Sequence, residues 1–316
     1  MRFRLREPGE ADPEAPLRFT ADWLRLRERL DRAARNRGLA RKLAAHLPNA
    51  PRLLDLGAGT GSLFRFLAPM IGRPQRWFFA DADEKLLQAG LVRTAQWAER
   101  HGLVARFSRR PRPSGLTVQA PLGPWRIETL PVDLAEAPRG LPLAEADAVV
   151  CSALLDLVSR RWMERLFARL QQPFYASLSV DGRDGWFPRH PADLALRRAF
   201  ARDQRRDKGL GLALGAEAAP TALQILAARG YETYEAASDW RIARGEVRLS
   251  RLFAGMAARA ALQAAPERRR SFEAWMAARN GQAFAGKLAI RIGHRDILAF
   301  PPAGARSRRA APITSS

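Results

Sequence analysis

The chain has 316 residues, 47% of them hydrophobic, and a formal net charge of +21. That length bounds it to one large domain or two small ones with a sizeable core. A single cysteine, Cys151, excludes an intrachain disulfide and fits a reducing cytoplasm, and no run of about 18 or more apolar residues offers a membrane-spanning helix.

Thr20 to Leu47 has apolar residues at helical spacing and no proline, which predicts one or two amphipathic helices ended by Pro48 and Pro51. RLLDLG, from Arg52, is a short apolar run bounded by turn residues and suits a buried strand. SLFRFLAPMI follows as a helix, QRWFFAD as a second strand and EKLLQAGLVRTAQWAERHGL as a second helix. GLTVQ and WRIETLPVDL flank the turn-rich APLGP and predict a hairpin. ADAVVCSALL reads as a buried strand, RRWMERLFARL as a helix and FYASLSVDG as a strand. Alternating strands and helices imply a parallel sheet covered on both faces.

The second half is less regular. His190 to Lys208 predicts an Arg-rich helix, and APTALQILAARGY a helix ended by Gly230. YETYEAASDWRI reads as one strand, Glu246 to Ala265 and Arg268 to Asn280 as two helices, and KLAIRIGHRDILAF as a last strand bent at Gly293. The polar tail GARSRRAAPITSS predicts disorder. The opening MRFRLREPGEADPEAP lacks the apolar h-region of a signal peptide.

The segment Leu53 to Leu63, LLDLGAGTGSL, carries the strongest chemical signal. A strand entering a glycine turn and then a helix is a nucleotide-binding device, because glycine turns tightly and lets a ligand approach the backbone. The dinucleotide fingerprint G-x-G-x-x-G is not met. Asp55, Gly57, Gly59 and Gly61 form D-x-G-x-G-x-G instead. That pattern resembles motif I of the class I S-adenosylmethionine-dependent methyltransferases. An acid at this place suits a ligand bearing a sulfonium and an ammonium, and would repel a pyrophosphate.

The resemblance runs from about Pro51 to Pro302, strong to Asp156 and loose beyond. It implies a Rossmann-like, seven-stranded, mostly parallel sheet with helices on both faces. Residues 1–50 would be an N-terminal helical extension and residues 51–302 the methyltransferase domain. Helical insertions, including the stretch GRDGWFP, would lie near 183–219 and 245–285, and 303–316 would be a disordered basic tail. The resemblance places S-adenosyl-L-methionine against Asp55, Gly57, Ala58, Gly59 and Gly61. It gives Asp81, with Ala82 beside it, the ribose hydroxyls, while Asp83 suits a helix N-cap. Asp133 would meet the adenine amino group with Leu134 against the ring, although Asp133 also reads as a plain turn aspartate. Ser152 would lie near the methionine moiety, with Ala153.

The acceptor is less readable, since the donor is already activated and the enzyme mainly positions the nucleophile. Asp156 either orients the acceptor or caps the next helix. His190, in a loop after the fifth strand, is a candidate base. His46, His101 and His294 read as surface or core residues, Cys151 as packing, and no spacing suggests a metal. The amino-methylating signature [DNS]-P-P-[YFW] is absent. Trp186 could wall the pocket, and the N-terminal helices, with Trp23 and Arg27, could close over the cofactor, their arginines meeting an anionic acceptor. The acceptor expected is a small molecule.

The positive charge supplies the second reading, an RNA or ribosomal-protein methyltransferase. Against it, nearly every basic residue is Arg, with lysine only at Lys42, Lys85, Lys208 and Lys287. Arg, Ala, Gly and Pro share GC-rich codons, and the arginines are dispersed rather than gathered in a patch.

Overall fold

The computed structural model describes residues 20–108 and 114–303; the predicted tail from residue 304 and the start of the chain lie outside them. Thr20 and Asn36 cap two N-terminal helices, α1 (Ala21–Ala34) and α2 (Arg37–His46), through their side-chain oxygens. Then follow β1 (Arg52–Leu56), α3 (Ser62–Ile71), β2 (Gln75–Asp81), α4 (Glu84–Arg100), β3 (Val104–Phe107), β4 (Gly115–Ala120) and β5 (Gly123–Pro131). The chain continues through β6 (Ala148–Ser152), α5 (Arg160–Arg169), β7 (Phe174–Phe187), α6 (Asp193–Gln204) and α7 (Ala218–Ala228). It ends with β8 (Glu232–Ala237), β9 (Trp240–Ile242), α8 (Val247–Ala264), α9 (Arg269–Phe284) and β10 (Ala289–Phe300).

One sheet holds the strands in the order β3-β4-β5-β2-β1-β6-β7-β10-β8, with β9 also paired to β10. The five central strands β5, β2, β1, β6 and β7 are parallel. The strands at both edges join antiparallel. Alternation along β2 sends Trp77 and Phe79 to one face and Phe78 and Ala80 to the other. Helices α2, α3 and α4 cover the first face, α5 and α7 the second, and a third apolar cluster joins α1, α6, α8 and α9 around Trp186, Trp240 and Trp275. No helix among the described residues is long and apolar enough to cross a membrane.

The sheet has ten strands among the described residues where seven were expected, the parallel core being as expected, and three further details differ from the sequence reading. The stretch Arg183 to Phe187, expected in an insertion, continues β7 and pairs with the first half of β10, Trp186 opposite Ile290. The single strand expected from Tyr231 breaks into β8 and β9 at Asp239, whose carboxylate takes Arg183 and Arg291. Strand β3 was not expected, because its side chains are mostly exposed and show no apolar alternation.

Candidate functional site

The parallel strands end at a cavity of about 410 Å³, on the side of an open α/β sheet where ligands bind. The turn after β1 makes its floor. Gly57, Gly59 and Gly61 all take positive φ, +65°, +52° and +76°, a conformation that glycine reaches without Cβ strain. A Cβ on Gly59 would sit 3.2 Å from Leu24 Cδ1 of α1, so the backbone at this point is open to the cavity because a side chain is missing.

Asp55 is 1% exposed and lines the cavity. Neither carboxylate oxygen has a hydrogen-bond partner. Burial pushes its pKa well above the ordinary carboxylate value, opposed by Arg35 and reinforced by Asp81. A buried acid without a partner is costly, and a cationic group in the cavity would relieve that cost.

Asp81 closes β2 beside it. Its Oδ2 accepts from Gly59 N–H at 2.8 Å and its Oδ1 from Asp83 N–H at 3.0 Å. A carboxylate offers about four lone-pair sites, and the backbone N–H groups of Gly59, Ala82 and Asp83 do not fill them all. Burial raises the Asp81 pKa, opposed by these backbone donors. Asp83 caps α4.

Asp133 caps a short turn through Oδ1, which accepts from Ala135 N–H. Leu134 is held by its carbonyl, which accepts from the buried Trp162 Nε1 at 2.6 Å. Ser152 ends β6. Arg35, between α1 and α2, donates to Ser152 Oγ and Ser62 Oγ, both at 2.9 Å, and thereby orients two cavity-lining residues.

Of the residues expected at the cofactor, Asp55, Gly57, Ala58, Gly59, Asp81, Ala82, Asp133, Leu134 and Ser152 all line this cavity. Gly61 does not. Its place is set by the core, because a Cβ there would lie 2.8 Å from the Phe79 ring.

A second cavity of about 300 Å³ adjoins the first, sharing Arg27, Ala153, Leu157 and Lys208 with it. Ala153 carries a positive φ of +52° at this junction. Asp156 lines the second cavity; its Oδ1 is inaccessible and unpartnered. Burial pushes its carboxyl up to about 6, opposed by Lys208 and Arg27. His190, a candidate base by its loop, lines neither cavity, and its Nδ1 accepts from the Ala192 N–H just before α6. His294, read as a surface or core residue, lines the second cavity. Burial lowers its pKa to about 4.

Helix α1 roofs both cavities, with Leu24 and Asp31 over the first, Trp23 over the second and Arg27 over both. Glu28 holds α1 down through Arg65 of α3 (2.6 Å) and Arg93 of α4 (2.7 Å). The helical spacing of Trp23 and Arg27 put them on one face; nothing in the sequence connected Lys208, Trp240 or Arg35 to the site.

No protein-family model and no curated protein matches the sequence. Among solved structures, the chain is similar to an S-adenosylmethionine-dependent methyltransferase of Geobacter sulfurreducens in complex with S-adenosyl-L-homocysteine, at 14% identity over 84% of this chain and 92% of that one, TM-score 0.39. It is similar to a cyclopropane-fatty-acyl-phospholipid synthase-like protein of Lactobacillus casei at 16% identity, covering 89% and 94%, TM-score 0.48. A cyclopropane synthase of Mycobacterium tuberculosis aligns at 11% identity over 82% of each chain, TM-score 0.39. The chain is a Rossmann-like α/β protein similar in architecture to class I S-adenosylmethionine-dependent methyltransferases.

Proposed function

We propose that the chain is a methyltransferase that uses S-adenosyl-L-methionine and methylates a small molecule. The carrying observation is Asp55: a buried carboxylate, with no partner for either oxygen, on the wall of a cavity floored by glycine. The methionine ammonium fits that acid by charge. Asp81 would take the ribose hydroxyls with its free lone pairs, and Asp133 with Leu134 would hold the adenine.

The donor would supply an activated methyl group. What the protein contributes is placement and exclusion of water. Ala153 stands where the two cavities meet, with Ser152 beside it on the wall of the first. Leu24 and Arg27 of α1 line the first cavity and would limit water at a bound donor. On this reading residues 51–302 form the methyltransferase domain, with α1 and α2 as an N-terminal extension and α6, α8 and α9 as inserted helices over the acceptor.

Calorimetric titration with S-adenosylmethionine, S-adenosylhomocysteine and NAD tests the assignment. Binding of the two sulfur compounds with no response to NAD is the expected result. Tight NAD binding without a response to either sulfur compound would overturn it.

A further inference from the structure

The second cavity has a composition that specifies its occupant. Its apolar wall includes Trp23, Trp186, Phe200, Trp240, Phe253 and Ile292. An apolar cavity of about 150 Å³ accommodates benzene, so about 300 Å³ has room for one or two rings. Two polar atoms here lack partners: Asp156 Oδ1, an acceptor, and Trp240 Nε1, a donor on a residue only 5% exposed. Buried polar groups in folded proteins are nearly always paired, which points to a ligand with complementary groups.

The charges around the cavity are almost balanced by the protein itself. Arg27 pairs with Asp31 at 3.1 Å, Arg183 with Asp181 and Asp239, and Arg197 with Asp184 at 3.3 Å. Lys208 donates to the Gln204 carbonyl, and its charge acts on Asp156. His294 stays neutral near pH 7, with Nδ1 hydrogen-bonded to the Ile292 carbonyl. A carboxylate ligand would find these guanidiniums already paired; among the described cations lining the cavity only Lys208 makes no ion pair, and its charge is directed at Asp156. An ammonium would be drawn to Asp156 but repelled by Arg27 and Lys208, both of which already act on that carboxylate. An uncharged hydroxyl meets neither obstacle.

Resting on the methyl-donor reading above, we propose that this cavity is the acceptor site, that it takes an uncharged one- or two-ring compound bearing a hydroxyl, and that Asp156 accepts the hydroxyl proton while Trp240 Nε1 donates to a second oxygen of the same molecule. The acceptor oxygen forms a bond to the methyl carbon as the carbon–sulfur bond of the sulfonium donor breaks. The electron pair of that bond stays on sulfur, and the hydroxyl proton passes to Asp156. Products are a methyl ether, a thioether and a protonated Asp156. Arg27, Lys208 and Cys151 are the other titratable groups facing this carboxylate; the two cations favour its ionised form, and Lys208 would also stabilise negative charge growing on the acceptor oxygen.

The test uses the full chain saturated with S-adenosylhomocysteine, whose own titration is recorded first. 4-Hydroxyacetophenone is the probe, with 4-hydroxybenzoate and tyramine as its charged counterparts and 4-ethylphenol as the analogue lacking the carbonyl. Expected is calorimetric binding of 4-hydroxyacetophenone about tenfold or more tighter than either charged compound. Trp240→Phe should weaken 4-hydroxyacetophenone about fivefold and leave 4-ethylphenol unchanged. Asp156→Asn should keep both ligands bound yet lower methyl transfer by about 100-fold or more. Charged compounds binding as well as the neutral one, or Trp240→Phe weakening both phenols alike, with S-adenosylhomocysteine still bound, would overturn the acceptor assignment and leave the donor reading standing. Failure of S-adenosylhomocysteine itself to bind would overturn the donor reading and this proposal with it.

Discussion

The carboxylate of Asp81, at the end of one strand, accepts a hydrogen bond from the Gly59 N–H, in the turn after its neighbour, at 2.8 Å. The acid therefore shapes the glycine turn as well as facing the cavity beside it. Asp81→Asn keeps an acceptor for Gly59 and should weaken S-adenosylhomocysteine about tenfold. Asp81→Ala also releases the turn and should cost about 100-fold, the range for hydrogen bonds to a charged group. Calorimetry decides, and an unchanged dissociation constant in both variants would remove Asp81 from the donor site.

Gly61 separates scaffold from ligand contact. Its φ is +76°, and an added Cβ would meet the Phe79 ring at 2.8 Å. That ring is fully buried and packed edge-on against Phe64, so it cannot yield. Gly61→Ala should lower unfolding stability by about 2 kcal/mol in urea denaturation. The folded fraction should bind S-adenosylhomocysteine nearly normally, because Gly61 does not line the cavity. A stability equal to wild type would contradict the packing argument.

Asp156 links stability to pH in a known direction. Its carboxyl lies near 6 in the fold against an ordinary 3.8, so the folded chain holds this proton more tightly than the unfolded chain. Stability from this group is complete below the unfolded value and is lost as pH rises through about 6. Asp156→Asn removes that loss. Its Tm should exceed wild type at pH 8 and match it at pH 3.5, in the absence of ligand; the opposite ordering would mean that Asp156 is stabilised as a carboxylate.

The same group sets the expected acid limb of catalysis. If Asp156 takes the acceptor proton, kcat/KM should fall as pH drops through about 6. A profile flat from pH 5 to pH 8 would exclude that role.

Glu28 makes the opposite kind of link. Burial would raise its carboxyl, but hydrogen bonds and charge from Arg65 and Arg93 outweigh it and lower the pKa below the ordinary 4.5. The unfolded chain thus takes up this proton first on acidification. Stability from Glu28 is complete above 4.5 and is lost as pH falls through the lower folded value. Glu28→Gln leaves the nearly buried Arg65 without its counter-charge and should cost about 2 kcal/mol near pH 7. The gap to wild type should narrow toward pH 3.5, measured by urea denaturation at each pH; a constant gap would show that the charge of Glu28 is not what holds α1.

The glycine turn, its leading acid and the strand-ending Asp81 were readable from the chain because their meaning is local. A buried strand, a Cβ-free turn and a helix start within a dozen neighbouring positions leave a pattern of residue types. Strands β1, β2 and β6 were readable for the same reason, as apolar runs between turns. Strand β3 was not, because exposed side chains carry no such pattern, and β8 and β9 merged because a break made by Asp239 depends on Arg183 and Arg291, far away in sequence.

Amino-acid order alone supplied the α/β alternation and the residues that floor the first cavity. The acceptor chamber came from packing. Trp23, Asp156, Trp186, Trp240 and His294 lie on separate segments; the sequence raised Trp23, Asp156 and Trp186 one at a time as site candidates, and gave no sign that they share one space with Trp240 and His294. Only folding brings α1, β7, β9, β10 and the end of β6 around one space. Charge pairing, unpartnered atoms and burial are relations between distant groups, and no one-dimensional periodicity encodes them. That is why His190, placed by its loop, turns its Nδ1 to the Ala192 N–H just before α6 and lines neither cavity, while His294, read as a surface or core residue, stands at the cavity wall.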